Sequence, residues 1–298
     1  MARLESCGEL TVHRGEPARG DEVTRRVKDS KIVITSTTPL NADVIGQAPN
    51  LELISVWSAG YDHVDIAAAS KRGVVVCNTP GYAAVSVAEH AMALALALAK
   101  ELPQSDRHVR QGGYDWSAFY GMELAGKTFG IVGTGATGSH IARLARCFGC
   151  HVLACTKHPS AERAARLGVE YVDLENLLRK SEILCLCAAL TPETEGMIGE
   201  GEFALMEQKP ILINVARGRL IDQQALVRAL RRGRIRGAGL DVLTQEPPGE
   251  DESLLREEQV IFTPHTAAVT PESMAALTRL CVENVEAYLQ GSPQNVVS

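Results

Sequence analysis

Three charged side chains, Arg217, Glu246 and His265, each stand a few residues after a segment that predicts a buried strand. These strand segments cover residues 211–215, 237–242 and 260–262. Because the carboxyl ends of parallel strands meet at one edge of a sheet, we expect the three side chains to lie there together. An arginine can grip a carboxylate and polarise a carbonyl, a histidine can donate a proton near neutral pH, and a neighbouring carboxylate stabilises the charged imidazole. The set suits reduction of a carbonyl group.

Each of these residues also has an ordinary structural interpretation. Arg217 can cap a helix, Glu246 can be a solvated turn residue, and His265 can pack beside Pro264. The shared position after three strand ends favours the chemical interpretation, because no single one of the residues is specific on its own.

A glycine motif predicts a phosphate-binding turn. The apolar segment 129–132 is followed by Gly133, Gly135 and Gly138 in the spacing G-x-G-x-x-G, and residues 139–148 then have helical periodicity. A strand that turns into a helix in this way points the first helical N–H groups at one spot, where a pyrophosphate can bind. Gly133 suits the tight turn, Gly135 the approach of phosphate, and Gly138 close helix packing. We favour a dinucleotide over a glycine-rich turn without a ligand.

The end of the next strand, at residues 151–155, bears on the choice of dinucleotide. NAD sites usually place an acidic residue there to hold the ribose 2′-hydroxyl. Here Thr156 supplies a hydroxyl, and Lys157 and His158 supply positive charge. These groups suit a 2′-phosphate, so we expect NADP(H) to be preferred, with NAD(H) possible. The alternative is that Lys157 simply extends into water.

Strands and helices alternate from residue 128 onward, which predicts a doubly wound parallel sheet. Further strands are expected at residues 129–132, 151–155, 169–172 and 183–187. Helices are expected at residues 139–148, 160–167, 173–179 and 222–232.

A smaller α/β unit precedes this half, with expected strands at residues 31–35, 51–56 and 74–77. Residues Ser58 to Gly60 follow a strand end, where backbone N–H groups can meet a carboxylate, although a plain turn is an equal alternative. Residues 85–102 predict one long, buried helix, in which Glu89 and His90 suit capping or packing. We expect a substrate-binding domain of residues 1–99 and 272–298 and a dinucleotide-binding domain of residues 100–271.

Composition narrows the class of protein. The chain has 298 residues, enough for two domains, with 45% hydrophobic and 22% charged residues and a net charge of −6. This balance is ordinary for a soluble globular protein and gives no sign of nucleic-acid or membrane binding. Eight cysteines without a signal peptide predict a reduced, cytoplasmic protein. Cys147, Cys150 and Cys155 lack a second ligand pair at zinc spacing, so we expect no metal site.

The sequence resembles the D-isomer-specific 2-hydroxyacid dehydrogenases along nearly its whole length. The matching stretches are residues 58–65, 78–81, 87–90, 128–138, 190–194, 213–218, 239–242, 246–248 and 263–265. The resemblance implies a doubly wound parallel-sheet (Rossmann) cofactor domain and a smaller flavodoxin-like α/β substrate domain. Within the family, residues 154–159 and 246–248 are most similar to NADPH-using glyoxylate/hydroxypyruvate reductases.

The resemblance also implies roles for single residues. Arg217, Glu246 and His265 would form a catalytic triad, and the backbone at Ala59 and Gly60 would bind the substrate carboxylate with help from Arg217 and His265. Asp241 would contact the nicotinamide carboxamide. The implied cofactor set consists of Gly133, Gly135, Ala136, Thr137, Gly138, Thr156, Lys157, His158, Ala188 and Asp241.

The expected activity is reduction of a small 2-oxo acid, glyoxylate or hydroxypyruvate, to the D-2-hydroxy acid by NADPH. Relatives are typically homodimers, with the helix from Val85 in the interface. Three departures stand out: family members have a strand and a helix before the position of Met1, many have His and Pro where Cys187 and Ala189 stand, and a Thr or Ser is replaced by Ala84. An NAD(H)-sensing scaffold or transcriptional corepressor on the same fold is the alternative.

Overall fold

A computed structural model describes residues 2–15 and 20–298 of the chain. Its contacts divide the chain into two compact units, Met1–Ala83 with Thr270–Ser298, and Ala84–Val269. Within the described residues no helix has the length and apolar character that crossing a membrane requires.

The first unit contains a parallel sheet of three strands in the order β1-β2-β3. The strands are β1 (Ile32–Thr35), β2 (Leu53–Val56) and β3 (Val75–Cys77). The helices are α1 (Ala2–Glu5), α2 (Gly20–Val27), α3 (Ala42–Gly46), α4 (Ile66–Lys71) and, at the end of the chain, α12 (Pro271–Leu289). Side chains of Asn41, Asp65 and Thr270 accept the first free amides of α3, α4 and α12, so polar caps fix where these helices begin.

The second unit contains a parallel sheet of seven strands in the order β10-β9-β8-β7-β4-β5-β6. The strands are β4 (Thr128–Val132), β5 (His151–Cys155), β6 (Glu170–Tyr171), β7 (Ile183–Leu186), β8 (Ile211–Asn214), β9 (Gly237–Leu240) and β10 (Val260–Phe262). The helices are α5 (Ala84–Ala99), α6 (Leu102–Arg110), α7 (Ala136–Cys147), α8 (Ala161–Leu167), α9 (Leu174–Lys180), α10 (Glu200–Leu205) and α11 (Gln223–Arg231). The strand order reverses between β4 and β7, where doubly wound sheets bind ligands. The predicted α/β class with a Rossmann-type domain is confirmed.

Helix α5 lies in the second unit, whereas the expected boundary at residue 99 assigned it to the first. The reason is its buried face of small and branched residues: Leu94 and Leu98 pack against Gly239 of β9, and α5 also contacts α7 and β8. The helix is also shorter than the predicted segment 85–102. It ends at Ala99, Glu101 adopts a left-handed conformation with φ of 51°, and α6 begins at Leu102.

The seven-stranded sheet separates two apolar layers. Phe129 and Ile131 of β4 are fully buried in one layer, with residues of α5 and α7, and Val132 and Leu184 lie in the other, with residues of α9 and α11. Strands buried on both faces read as continuous apolar runs, which is why the sequence showed them clearly. Helices α2, α6 and α10 were not predicted, because their apolar patterns are short and α6 buries no residue.

Candidate active site

His265 and Glu246 form a direct pair. The Nδ1 atom of His265 lies 2.7 Å from Oε2 of Glu246, and the other carboxylate oxygen accepts the amide of Leu243 at 2.8 Å. The carboxylate is therefore held by its own loop and aligns the imidazole ring. An imidazole whose Nδ1 donates to a carboxylate has its Nε2 left for exchanging a proton with another molecule. Both side chains are partly open to solvent, at 49% for His265 and 38% for Glu246.

Asp241 anchors the loop on which His265 stands. Its carboxylate, 2% exposed, accepts hydrogen bonds from the Thr263 hydroxyl at 2.6 Å and from the amides of Thr266 at 2.8 Å and Ala267 at 3.0 Å. Its carbonyl accepts the His265 amide at 2.9 Å. Both carboxylate oxygens of Asp241 therefore already accept hydrogen bonds from residues that flank His265. The predicted contact of Asp241 with the nicotinamide carboxamide stays a prediction.

Helix α5 supports the same loop from one side. The Ser86 hydroxyl donates to the Ala267 carbonyl at 2.6 Å, and Nε2 of His90 lies 2.9 Å from the Thr263 hydroxyl. His90 is also 3.5 Å from Asp241. His90 therefore packs against the loop of His265, which agrees with the packing role expected from the sequence.

Arg217 stands on the loop after β8, next to the loop that holds Glu246. The side chain of Asn214 organises this turn by donating to the Arg217 carbonyl at 2.9 Å and accepting the Ala216 amide at 3.1 Å. A Cβ atom on Gly218 would lie 2.0 Å from the Leu243 carbonyl carbon, so only glycine permits the two loops to approach this closely. Because β8, β9 and β10 are neighbours, Arg217, Glu246 and His265 follow adjacent strand ends at one sheet edge.

The glycine turn has the geometry that its spacing predicts. Gly133 has a φ of 94°, and a Cβ there would lie 2.9 Å from the Ala188 amide nitrogen. A Cβ on Gly138 would lie 2.0 Å from the Gly133 carbonyl oxygen, so the first turn of α7 packs directly onto the loop. Gly135, by contrast, faces open space and directly precedes α7, which begins at Ala136 with Thr137 next in its first turn. An open surface at the start of a long helix fits a pyrophosphate.

The segment after β5 presents a hydroxyl and two basic groups at the same edge. Thr156 is half-buried, and Lys157 and His158 are exposed. An acidic residue, Glu193, lies near Lys157 although the two are far apart in the sequence. The pKa of Glu193 is lowered by its hydrogen bond with Thr191 and, more weakly, by the positive charge of Lys157. Lys157 therefore has a carboxylate within its electrostatic range.

In the first unit, the loop of Ser58, Ala59 and Gly60 is closed on itself. The Ser58 hydroxyl accepts the Gly60 amide at 3.1 Å and donates to the Gly60 carbonyl at 2.9 Å, and the Asn78 side chain donates to the Ala59 carbonyl at 2.8 Å. The Gly60 amide therefore already has a partner. A carboxylate that binds this amide must share it with the Ser58 hydroxyl or displace that hydroxyl.

The second unit matches a family of known proteins. The family described as "D-isomer specific 2-hydroxyacid dehydrogenase, NAD binding domain" matches residues 92–267. The chain belongs to the D-isomer specific 2-hydroxyacid dehydrogenases. This family consists of dehydrogenases that use a nicotinamide dinucleotide, and the match covers the glycine turn, Arg217, Glu246 and His265.

Among its relatives in this family, a glyoxylate reductase of Korarchaeum cryptofilum is 38% identical over 100% of this chain and 92% of its own length. A D-3-phosphoglycerate dehydrogenase of Archaeoglobus fulgidus is 40% identical over 92% of this chain, which spans about half of that relative, 52% of its length. A solved structure of an acyclic imino acid reductase, Bsp5, in complex with NADPH and D-Arg superimposes with a TM-score of 0.93 at 30% identity, covering 100% of this chain and 94% of the other.

The sequence pointed to the charged residues and to the loop of Ala59 and Gly60, but not to the polar side chains that hold these loops. Asn214, Ser86 and Asn78 are all buried, and each bonds to the backbone of a loop at a strand end. The available signal was a lone polar residue at the end of an apolar segment or within a mostly apolar helix, because such a residue must find a partner when it is buried.

Proposed function

We propose that this chain reduces a small 2-oxo acid, with glyoxylate and hydroxypyruvate preferred, to the D-2-hydroxy acid with NADPH. The observation that carries the proposal is the 2.7 Å pair of His265 and Glu246, fixed by Asp241 at the strand-end edge where Arg217 also stands. The glyoxylate reductase that matches 92% of its own length supports this substrate class.

A nicotinamide dinucleotide held by the glycine turn at Gly133, Gly135 and Gly138 would supply the hydride that C2 of the substrate accepts. His265 donates the proton that the carbonyl oxygen needs, from the ring nitrogen that faces away from Glu246. Glu246 stabilises the charged imidazole before this transfer and keeps the ring aligned. Arg217 binds the substrate carboxylate and polarises the carbonyl through its planar donor groups. The backbone at Ala59 and Gly60 binds the carboxylate as well, and the carboxylate either shares the Gly60 amide with the Ser58 hydroxyl or displaces that hydroxyl.

The direct test follows the oxidation of NADPH and of NADH with glyoxylate, hydroxypyruvate, pyruvate and 3-phosphohydroxypyruvate. Turnover of glyoxylate or hydroxypyruvate is the expected result, with the D-2-hydroxy acid formed wherever the product is chiral. Tight dinucleotide binding without turnover on any of the acids contradicts the proposal and favours a sensing scaffold or corepressor instead.

We propose a preference for NADP(H) on the basis of Thr156, Lys157 and His158 at the end of β5. Replacing Lys157 by Asp removes a phosphate-binding charge and adds an acceptor for a ribose hydroxyl, so the ratio of kcat/KM for NADPH to that for NADH should fall about tenfold or more. Lys71→Asp, on an exposed residue of α4, is the matched charge control. An unchanged ratio in Lys157→Asp, or an equal change in both variants, contradicts the phosphate-binding role.

We also propose that the protein is a homodimer. Tyr114, Trp116 and Tyr120 are 92%, 78% and 71% exposed, and they follow helix α6, which buries none of its residues. Large exposed aromatic side chains in one segment favour a covered interface. Light scattering should give the mass of two chains, and Tyr114→Ser combined with Trp116→Ser should shift it toward one. A monomeric parent chain contradicts the proposal.

A 2-imino acid is a second candidate substrate, because the imino acid reductase structure covers nearly the whole length of both chains. The same proton donor would then serve a nitrogen atom in place of oxygen. Adding methylamine to glyoxylate in the assay tests this candidate: faster cofactor oxidation and formation of N-methylglycine support it, and a rate that only falls as the free oxo acid is consumed contradicts it.

A further inference from the structure

Three asparagines of the first unit are linked by hydrogen bonds that run through two side chains and then through the main chain of Asn78. The side-chain amide of Asn295 donates to Oδ1 of Asn284 at 2.9 Å, Asn284 donates to the Asn78 carbonyl at 2.7 Å, and Asn78 donates to the Ala59 carbonyl at 2.8 Å. Asn284 is fully buried and Asn78 is 9% exposed. The backbone N–H of Asn78 also donates to the backbone carbonyl of Asn295 at 3.1 Å. This bond closes a ring between the first and last of the three asparagines.

The direction of every bond in this chain is determined. A backbone carbonyl only accepts, so the atoms that face the carbonyls of Ala59 and Asn78 must be side-chain nitrogens. The remaining atom of the Asn284 amide is then its oxygen, and Asn295 must present its nitrogen to it. The two bonds that share the Asn284 side-chain amide polarise one another, and the second of them holds the main chain of Asn78, whose own side chain donates to the Ala59 carbonyl.

The last bond of the chain sets the direction of the Gly60 amide. Ala59 and Gly60 share one planar trans peptide unit, in which the carbonyl and the N–H point in opposite directions. Holding the Ala59 carbonyl with Asn78 therefore fixes the Gly60 N–H on the opposite side of the peptide, where it meets the Ser58 hydroxyl.

We propose that Asn284 and Asn295 are positioning residues, which act through Asn78 to aim the Gly60 amide at the carboxylate of the substrate. This inference rests on the proposed function, because it takes the Ala59–Gly60 peptide as a carboxylate-binding group. The lack of charge on the three side-chain amides also fits this role. A carboxylate in place of Asn284 would also be buried, and its negative charge would oppose an anion at Gly60.

Two variants remove members of the chain, and a third serves as the control. Asn295→Gly suits the backbone, since Asn295 has a φ of 53°, and it retains the carbonyl that accepts the Asn78 amide. Asn284→Leu replaces the central amide by an apolar side chain of similar size. The control is Ser55→Ala, which removes a fully buried hydroxyl that joins β2 to α12 by bonding the Cys281 carbonyl at 3.3 Å rather than any of the three asparagines.

The readouts are the KM for glyoxylate, the kcat, the dissociation constant for NADPH and the hydrogen exchange of residues 57–62. We expect the KM to rise about tenfold in Asn284→Leu and about threefold in Asn295→Gly, with kcat and NADPH binding within twofold of the parent chain. Exchange at residues 57–62 should be faster in both variants. In Ser55→Ala the melting temperature should fall, while KM and loop exchange stay unchanged.

The inference is overturned if Asn295→Gly lowers the melting temperature as Ser55→Ala does but leaves KM unchanged, because the asparagines then only join α12 to β3. Asn295→Gly decides this even where Asn284→Leu does not fold. If the parent chain turns over none of the 2-oxo acids, the proposed function has failed separately. The hydrogen exchange of residues 57–62 then becomes the only test of the positioning role, and an unchanged exchange rate overturns that role.

Discussion

The loop of His265 and the loop of Ala59 and Gly60 both follow parallel strands, yet groups of different charge hold them. The first loop is tied down by a buried carboxylate, Asp241, which accepts two backbone amides and a hydroxyl. The second is held through its carbonyl by the neutral side chain of Asn78. Asp241 is 2% exposed and Asn78 is 9% exposed. Water therefore screens little of the charge at either position, and a charged and a neutral anchor have clearly different effects there.

The difference follows from what each loop is proposed to hold. The negative charge of Asp241 is used to accept backbone N–H groups of the His265 loop, whereas a negative anchor near a carboxylate-binding amide would weaken anion binding. Two unit charges about 8 Å apart interact by roughly 2 kcal/mol at an effective dielectric constant of about 20, which is enough to change binding by more than tenfold. The chemistry of an anchor can therefore indicate the charge of the ligand that its loop serves.

The largest expected effect comes from removing the proton donor itself. His265→Ala should lower kcat for glyoxylate by about 10²- to 10⁴-fold, because a positioned general acid contributes that much. NADPH affinity should stay nearly intact, since the glycine turn lies on a different loop. Steady-state kinetics and a fluorescence titration measure the two quantities.

The control for this variant is His151→Ala, at the start of β5 and thus at the opposite edge of the sheet, which should leave kcat unchanged. An equal loss of NADPH binding in His265→Ala would argue against a role as proton donor.

A smaller effect is expected from neutralising the anchor of the same loop. Asp241→Asn keeps the size of the side chain but places an NH₂ group against one of the backbone amides that the carboxylate accepts. We expect kcat to fall about tenfold to a hundredfold and the free energy of unfolding to fall by about 1–3 kcal/mol. The KM for glyoxylate should change far less, in contrast to the asparagine variants of the other loop.

Asp222→Asn is the matched control, because Asp222 caps α11 by accepting the Ala225 amide at 3.0 Å, and asparagine caps equally well. A raised KM with an unchanged kcat in Asp241→Asn would remove the contrast between the two loops.

The smallest effect is expected at a carboxylate that serves the fold alone. Partial burial alone would raise the pKa of Glu182, but hydrogen bonds from the Lys127 ammonium at 2.9 Å and the Thr128 amide at 3.0 Å outweigh it and lower the pKa. A lowered pKa in the folded state contributes stability that is present above the ordinary value of 4.5 and is lost as the pH falls through the folded value. In Glu182→Gln the free energy of unfolding should therefore fall less on acidification than in the parent chain, by about 1 kcal/mol or less, and kcat should not change.

Denaturant unfolding at several pH values measures this profile, with Glu170→Gln, on the exposed start of β6, as the control. A change in kcat for Glu182→Gln would mean that carboxylates at both edges of the sheet affect catalysis, which would weaken the contrast drawn for Asp241.

The sequence was sufficient for the parts of the fold that repeat a simple pattern. Strands such as β7 and β8 are apolar throughout, and the glycine spacing identified the turn before α7. The charged residues after β8, β9 and β10 could be placed at one edge because parallel strands share their direction. The site geometry could not be predicted in the same way, because the partners of Asp241 and Asn78 are backbone groups of loops whose conformation no periodicity encodes.

The backbone of His265 has a consequence for directed evolution of this site. Its φ of 54° is a conformation that asparagine and glycine adopt readily and that β-branched residues resist. In a saturation library at this codon, activity can therefore be lost for two reasons. Valine and isoleucine variants have an unfavourable main-chain conformation and also lack the imidazole. Asparagine clones separate the two, since they remove the acid while retaining a residue that is compatible with the turn.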